Sequence, residues 1–453
     1  MSFNNLPAAI QSVIQLGYLE HQFGLPLRAK LGFRAIADRE PFMANLGETI
    51  TRTRTGLLPA ITTAMSPAAN SDFTSGLTPQ NLSVEQYVLS IAQYAANMQL
   101  NIATARVAVD NLFLRNSYTL GEQAARSVDM LAQQALFNTY MGGNTRVRVT
   151  LGSAGTTIAV DDVRGFQQTL NSAGQVVPVS PSNPVNVTVG ADVYSLTSFT
   201  IDGSNVSTTP GGTSGTLTFS TSVTVADGTA LNPVQSAIAP YIVRPNLAST
   251  NVMATTTAAI SSASDVNNGK LTMQMILNAK ATMSANGVPV VDSTGMYHLY
   301  LDPLQATGLY ADPAFQQFFR GQVTTTEYRM GVIAELLGVR VQETNLNPVQ
   351  NLSGVGLVRR GILVGQGALV EGVFTNEAYK NNLDGVDDEA MITIVDDIAH
   401  VTREPLDALK QVVTQTWSYS GGFSVPTDTT TNPNTIPTAT NSAYKRGIIL
   451  ESL

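Results

Sequence analysis

The chain has 453 residues and a mass of 48.0 kDa, which is enough for about three domains at roughly 150 residues each. Charged residues make up 13% of the chain and the formal net charge is −8, so Ser, Thr, Asn, Gln and Gly must cover much of its surface. This composition excludes charge-rich disorder, and an acidic chain without a basic stripe is not a conventional nucleic-acid binder. The absence of cysteine excludes disulfides, thiolate zinc sites and cysteine nucleophiles.

The N-terminal arm combines a short amphipathic helix with a basic stretch containing Arg28, Lys30, Arg34 and Arg39. Such a stretch meets either an acidic neighbour or only solvent, and both readings stay open. Residues 1–20 contain no Lys or Arg, so they lack the positive region of a secretory signal. The sequence has no run of 18 uncharged apolar residues, so we expect no membrane span.

Residues 49–55 alternate strictly, which predicts a β-strand. Ile50, Arg52 and Arg54 share one face and four threonines share the other, so neither face is apolar. A strand that is polar on both faces is poorly specified by its own core. A second segment with period two follows, through Tyr87, Leu89 and Ile91. Residues 46–94 therefore predict a long projecting hairpin, with an ordinary edge hairpin as the alternative.

Two helical segments follow the hairpin. The first covers residues 103–116. The second begins with a Thr-x-x-Glu capping box at Thr119 and Glu122, and an apolar stripe at helical spacing continues to Tyr140. Gly142 and the glycine after it predict its end.

The composition changes abruptly near residue 145. Between Arg164 and Arg244 the chain has no basic residue and is dominated by Ser, Thr, Gly and Val. Short β-like runs with Asp-Gly turns at Asp202 and Asp227 predict a mostly β insertion, with one short helix at 161–170.

Helices and strands alternate in the remainder of the chain. Helices are predicted at 266–285, 303–310 and 314–320. Strands or strand-like elements are predicted at 296–301, 337–343, 360–364, 368–373, 391–403, 408–419 and 445–450, with a surface loop at 420–440.

The sequence shows no motif for metal binding, catalysis or nucleotide binding. His21, His298 and His400 have no metal-ligand spacing, and no catalytic or nucleotide-binding motif is found. We therefore expect no catalytic residue, no cofactor and no metal, and a protein that is not an enzyme. One acidic cluster either holds calcium or is a solvated or interface loop; it contains Asp384, Asp387, Asp388 and Glu389.

The order of these elements resembles the major capsid proteins of tailed double-stranded DNA bacteriophages, of the podophage type with an insertion domain. The resemblance covers most of the chain, although no single motif is highly specific. The stretches that carry it are Leu120–Tyr140, Gly215–Phe219, Val225–Gly228, Ala239–Pro245, Tyr297–Pro303 and Gly331–Val341.

The resemblance implies an α+β fold with six parts. These are an N-terminal arm (1–45), an extended hairpin loop (46–94), a peripheral domain with a spine helix (95–144), an inserted β-rich domain (145–245), an axial α/β domain (246–390), and returning strands with the C-terminal segment (391–453).

The implied role is structural. Copies would form hexamers and pentamers of an icosahedral shell, assembled in the bacterial cytoplasm, that encloses DNA without reading its sequence. Scaffolding, portal and decoration proteins are the implied partners. On this reading we expect Arg52 and Arg54 to pair with Glu122 or Asp129 of an adjacent subunit.

Two other functions are alternatives to a phage capsid role. An encapsulin-type nanocompartment shares the implied fold, and a Ser/Thr-rich surface adhesin shares the composition of the insertion.

Some family members crosslink their shells through a lysine of the extended loop. No lysine lies between Lys30 and Lys270, so this loop cannot form that crosslink.

Overall fold

The computed structural model describes the following residues: 21–25, 32–42, 49–55, 62, 84–101, 109–170, 176–202, 212–236, 242–244, 252–253, 269–291, 295–320, 335–352, 356–374, 390–403, 408–409, 411–426 and 446–453. The fold is α+β, as predicted. Among these residues, no helix is both long and apolar enough to cross a membrane.

Four α-helices lie in the described ranges, with a short helical segment at 21–25 before them. They are α1 (Val109–Tyr140), α2 (Met273–Ala285), α3 (Pro303–Tyr310) and α4 (Pro313–Arg320). Helix α2 begins later than predicted because the Thr272 hydroxyl accepts the Met275 amide as an N-cap. Asp302 and Gln305 form a capping box at the start of α3.

Helix α1 is continuous over 32 residues, or roughly 48 Å at about 1.5 Å per residue. The predicted helix start at Thr119 is therefore wrong. The Thr119 hydroxyl donates to the carbonyl of Arg115, one turn back, at 2.9 Å. A threonine within a helix can satisfy its hydroxyl this way, so a Thr-x-x-Glu pattern does not always mark a helix start.

The first sheet lies under the N-terminal half of α1. Its strands are β1 (Ala37–Phe42), β4 (Ala92–Asn101), β20 (Leu369–Phe374), β21 (Ala390–Val395), β22 (Ile398–Arg403) and β23 (Val412–Ser424). Leu120, Ala124 and Val128 of α1 pack with Trp417 and Tyr419 of β23 in one apolar cluster.

The prediction of a single strand over 391–403 is wrong, because β21 and β22 form a hairpin. Asp396 and Asp397 both have positive φ, at 49° and 65°, as a tight two-residue hairpin turn requires. Strand β23 starts later than predicted and continues to Ser424, into the predicted loop 420–440. Residues 427–440 of that loop lie outside the described residues.

A second sheet of eight strands packs against the C-terminal half of α1. Its strands are β13 (Ile242–Arg244), β14 (Val252–Met253), β15 (Tyr297–Leu301), β16 (Glu335–Leu336), β17 (Val339–Glu343), β18 (Val349–Leu352), β19 (Gly356–Val364) and β24 (Gly447–Ser452). Leu136 and Phe137 of α1 share a cluster with Ile362 and Ile449. One helix therefore contributes to the cores of both sheets.

Residues 144–236 form a third sheet with its own core. Its strands run in the order β5 (Asn144–Arg146), β12 (Pro233–Ser236), β9 (Val185–Val189), β10 (Asp192–Ile201), β11 (Gly215–Val223) and β6 (Gly155–Val160). A bridge between Val147 and Val160 joins its two ends. The sheet is thus a closed barrel, and closure leaves no free edge. Its core, which includes Leu196 and Leu217, uses residues of this segment alone.

Two local predictions for the barrel are wrong. Residues 161–170 are not helical: they are irregular up to a short strand, β7 (Gln168–Leu170), which pairs with β8 (Val176–Pro178). The Asp227-Gly228 turn joins β11 to β12, which do not pair with each other, so it is not a hairpin turn. The Asp227 carboxylate instead accepts from the Ala191 amide and the Tyr194 hydroxyl. Burial raises its pKa, but these hydrogen bonds and one from Thr224 outweigh burial and lower it.

Strands β2 (Thr49–Thr55) and β3 (Val84–Ser90) form a separate two-stranded ribbon. They pair antiparallel along their full length, from Thr49 opposite Ser90 to Thr55 opposite Val84. Among the described strands they pair only with each other. The two predicted strands are therefore paired with each other, and no third described strand joins them. Residues 56–61 and 63–83 of the predicted hairpin lie outside the described residues, and residues 92–94 belong to β4 of the first sheet.

Candidate functional site

The ribbon is attached to the molecule at its base. Leu89 is fully buried and packs with Val370 of the first sheet. A Cβ on Gly372 would lie 2.8 Å from Leu89 Cδ2, and a Cβ on Gly422 would lie 1.8 Å from the Ser90 carbonyl oxygen. Glycine at these two positions lets the ribbon base lie directly on the sheet.

Arg52 and Arg54 lie further along the ribbon than this anchor. Arg52 is directly opposite Tyr87 in the register, and Arg54 is opposite Glu85. The Arg52 Nε is 2.7 Å from Glu40 Oε2 of the same chain. Both side chains of that pair are partly exposed, and an ion pair of this kind contributes at most about 1 kcal/mol. Arg52 can therefore exchange this partner for another carboxylate at little cost.

Asp129 has a role inside its own chain. It is 1% exposed, and its Oδ1 accepts three consecutive backbone amides, from Gly32 at 3.1 Å, Phe33 at 2.6 Å and Arg34 at 3.0 Å. Burial raises the pKa of the Asp129 carboxyl, and the three amides oppose that shift. A buried carboxylate held in this way is not available to an arginine of a neighbouring subunit.

A second buried carboxylate holds the same N-terminal segment. Arg34 Nε donates to Glu371 Oε1 at 2.8 Å, and Arg34 Nη1 donates to the Asp396 carbonyl. The Tyr419 hydroxyl also donates to Glu371 Oε1, at 2.8 Å, and burial together with that carboxylate raises the pKa of Tyr419. The buried carboxylates of Asp129 and Glu371 therefore hold residues 32–34, which lead into β1 beside β20.

Glu122 lies on the wall of a groove of about 680 Å³ between α1 and the second sheet. It is partly buried, whereas Arg126 and Glu343 on the same groove are exposed. The remaining lining includes Tyr300 and residues 344–346. Three carboxylates and one guanidinium therefore line the groove, and the third carboxylate is Asp129, whose Oδ1 already accepts three backbone amides.

Sequence reasoning did not identify Glu343 as a member of this site. It lies 221 positions from Glu122 in the chain, and only the parallel pairing of β15 with β17 places it beside the groove. No local pattern in the sequence indicates that pairing.

The barrel is fixed to the rest of the chain by buried ion pairs. Glu451 accepts from Arg146 Nη2 and Arg360 Nε, both at 3.1 Å, and all three side chains are at most 3% exposed. Burial lowers the pKa of Arg360, against the effect of Glu451. Arg164 pairs with Asp162 at 2.6 Å and donates to Asn138 near the end of α1. The barrel therefore has a defined orientation on the helix and the second sheet.

Within the described part of the chain, no group of three or more His, Asp or Glu residues could hold a metal ion. The acidic cluster at Asp384, Asp387, Asp388 and Glu389 lies outside the described residues. The buried charged groups at the N-terminal segment and the barrel junction lie in closed ion-pair and hydrogen-bond networks, which is typical of structural roles.

No family model and no curated protein matches the chain. Among solved structures, the chain is similar to the capsid of Ralstonia phage GP4, with 12% identity over 94% of this chain and 90% of that chain and a TM-score of 0.49. The capsid asymmetric unit of cyanophage Pam1 gives 11% identity over 100% and 99%, with a TM-score of 0.43. A virus-like particle from Pyrococcus furiosus gives 9% identity over 96% and 98%, with a TM-score of 0.35.

These TM-scores are below 0.5 and the identities are far below 25%. The functional proposal therefore rests on the chain's own residues and elements.

Proposed function

We propose that this protein is a structural shell protein, the major capsid protein of a tailed double-stranded DNA bacteriophage. The observation that carries the proposal is the ribbon. It is anchored at Leu89, yet its two strands pair with no third strand among the described residues. An exposed strand edge is a template for pairing or contact with another chain, and in a shell that other chain is an identical copy.

The rest of the architecture supports the same role. A helix that joins two cores makes each subunit stiff, and the low charge of the chain limits repulsion between packed copies. The sequence resembles the major capsid proteins of tailed bacteriophages, and the two phage structures named above are capsids. Hexamers and pentamers around DNA, with scaffolding, portal and decoration partners, belong to the same proposal, as does assembly in the host cytoplasm.

For the contact between subunits, we propose that Arg52 and Arg54 of one copy reach the groove of the next. Glu122 was predicted for this contact, and Glu343 lies on the same groove. Two guanidinium groups and two carboxylates are complementary in charge. Asp129 is left out because it is occupied inside its own chain.

The test compares particles by electron microscopy and sedimentation velocity. We expect closed shells tens of nanometres across from the wild type, and a loss of shells in Arg52→Glu/Arg54→Glu. The control Arg148→Glu/Arg340→Glu makes the same change in net charge on the barrel and the second sheet, and it should assemble normally. Shells that form equally well in the ribbon variant would contradict the contact.

A charge-swap experiment locates the partner carboxylates. Adding Glu122→Arg/Glu343→Arg to the ribbon variant should restore shells if the ribbon binds in this groove. A combined variant that stays unassembled would place the ribbon elsewhere. Closed shells that contain no nucleic acid when isolated from an infected or packaging-competent host would favour a nanocompartment instead.

A further inference from the structure

A histidine is buried in the apolar layer between the first sheet, segment 21–25 and the N-terminal half of α1. His400 is fully buried, and it lies directly opposite Trp417 in the register of β22 and β23. The ring of Phe23, in the helical segment 21–25, stacks on it with 4.8 Å between ring centroids. Phe23 belongs to the same apolar cluster as Trp417, Leu120 and Ala124.

Neither nitrogen of the His400 ring has a hydrogen-bond partner among the described residues. The side chains of Thr402 and Gln415, which are opposite each other on the same two strands, are buried and unpartnered in the same way. Burial lowers the pKa of His400 from 6.5 to about 4. Between about pH 4 and 6.5, the His400 imidazole is therefore neutral while this layer is closed and takes up a proton when the ring is exposed to water.

Charged groups on the packed elements do not compensate a proton on His400. Burial alone accounts for its pKa shift, with no charged group among the causes. The titratable groups on these elements include His21 on segment 21–25, Arg403 at the end of β22, Asp396 and Asp397 at the β21–β22 turn, and Tyr419 on β23 with its bonded Glu371 and Arg34. Helix α1 brings Arg115, Tyr118, Glu122, Arg126 and Asp129.

We propose that protonation of His400 releases segment 21–25 from the first sheet, so that this segment is an acid-sensitive latch on the N-terminal arm. Strands β21 and β23 and helix α1 are held by long pairings and clusters. Among the described residues, segment 21–25 contacts this layer through Phe23, which stacks on the ring and joins one apolar cluster. Release of segment 21–25 therefore exposes the imidazole to water with the least loss of described structure. The proposal concerns the single chain and does not depend on what the chain assembles into.

The direction of the pH effect follows from the two pKa values. The closed state binds a proton on His400 only near pH 4, whereas the open state binds it near the ordinary value of 6.5. The free-energy contribution of neutral His400 to the closed state is complete above pH 6.5 and is lost as the pH falls towards 4. The ratio of open to closed molecules should rise about tenfold per pH unit in that window, or about 300-fold in total.

Trp417 is the only tryptophan of the chain, so its fluorescence reports this layer directly. In the full-length wild type we expect its emission to weaken and shift to the red as the pH falls below 6, because a charged imidazole quenches the neighbouring indole and water enters. Hydrogen exchange of the peptide containing 21–25 should accelerate in parallel, beyond the intrinsic pH dependence. Peptides from β22 and β23 should stay protected.

Three variants test whether protonation of His400 causes the acid response. His400→Leu should abolish the acid response, whereas His21→Gln, at the exposed start of the same segment, should retain it. Phe23→Ala should move the response to higher pH by one unit or more. An acid response that is unchanged in His400→Leu would overturn the proposal.

A second measurement does not depend on the folding of any variant. The chain has only three histidines, so their ring signals can be followed by NMR in the selectively labelled wild type. The proposal requires one ring that titrates well below 6.5, with the same midpoint as the Trp417 signal. Three rings that all titrate near 6.5, while the layer stays closed, would overturn it.

Discussion

The barrel and the ribbon show two outcomes for similar antiparallel strands that are rich in Thr and Ser. The barrel, residues 144–236, joins its first and last strands at Val147 and Val160 and fills its interior with its own apolar side chains. The ribbon, 49–55 with 84–90, pairs with no third described strand, and among its described side chains Leu89 is the apolar anchor on the first sheet.

The difference shows where each region finds its binding partner. A closed barrel has satisfied its strand edges and can stand on the surface of an assembly without pairing further. A two-stranded ribbon is marginal in water by itself and needs a surface to lie on. We therefore expect disruptions of the barrel to act on the folding of the chain, and disruptions of the ribbon to act on association.

The largest expected effect is at the barrel entrance. Gly165 has φ of +80°, and a Cβ there would lie 2.1 Å from the backbone nitrogen of Gly143. We expect Gly165→Ala to destabilise the chain by more than about 4 kcal/mol, because the clash is with backbone and the conformation is left-handed. Urea unfolding of the full chain measures this. Gly152→Ala, where a Cβ would meet nothing within 4 Å, is the control and should change stability little.

The next effect is at the ion pairs that fix the barrel to the second sheet. Glu451→Gln removes the carboxylate that Arg360 bonds and leaves Arg146 with Asp161 alone, at 3.9 Å. Breaking a buried pair of this kind costs about 3 kcal/mol or more. The unfolding midpoint should fall accordingly. Glu335→Gln removes an exposed partner of Arg340, and a shift as large in this control would show that burial does not set the cost.

The smallest of the three effects on stability is at the ribbon anchor. We expect Leu89→Ala to cost about 2–3 kcal/mol, at the lower end of the range of about 2–5 kcal/mol for a buried leucine, and to release the ribbon while the barrel stays folded. Hydrogen exchange should increase in 84–90 and not in 215–223. Val193→Ala, at a side chain 63% exposed on the barrel, is the matched control. An equal increase in both regions would show that they unfold together.

Local patterns predicted the elements that local chemistry decides. The strand predicted from the strict alternation of 49–55 and the helix predicted at 303–310 are both present in the structure. The helix start predicted from Thr119 and Glu122 is wrong because a helix-capping pattern can also occur in the interior of a long helix. Asp396-Asp397 was read as part of a strand because its two positive φ angles leave no mark in the hydrophobic pattern.

Contacts that depend on distant parts of the chain could not be predicted. The three amides on Asp129 come from residues nearly one hundred positions earlier, so its carboxylate looked like an available surface group. Glu343 joins the groove through a parallel strand pairing, and Leu89 finds its cover at Val370. The domain boundaries and the intersubunit contacts of Arg52, Arg54 and Glu122 stay predictions.

The most direct test of the central claim is hydrogen exchange of the ribbon in dilute protein and in the sedimenting, assembled fraction. The account predicts that amides of 49–55 and 84–90 exchange at least tenfold more slowly after assembly, because a second copy covers them, while amides of the barrel strands are unchanged. Ribbon amides that exchange equally fast in both fractions would contradict it.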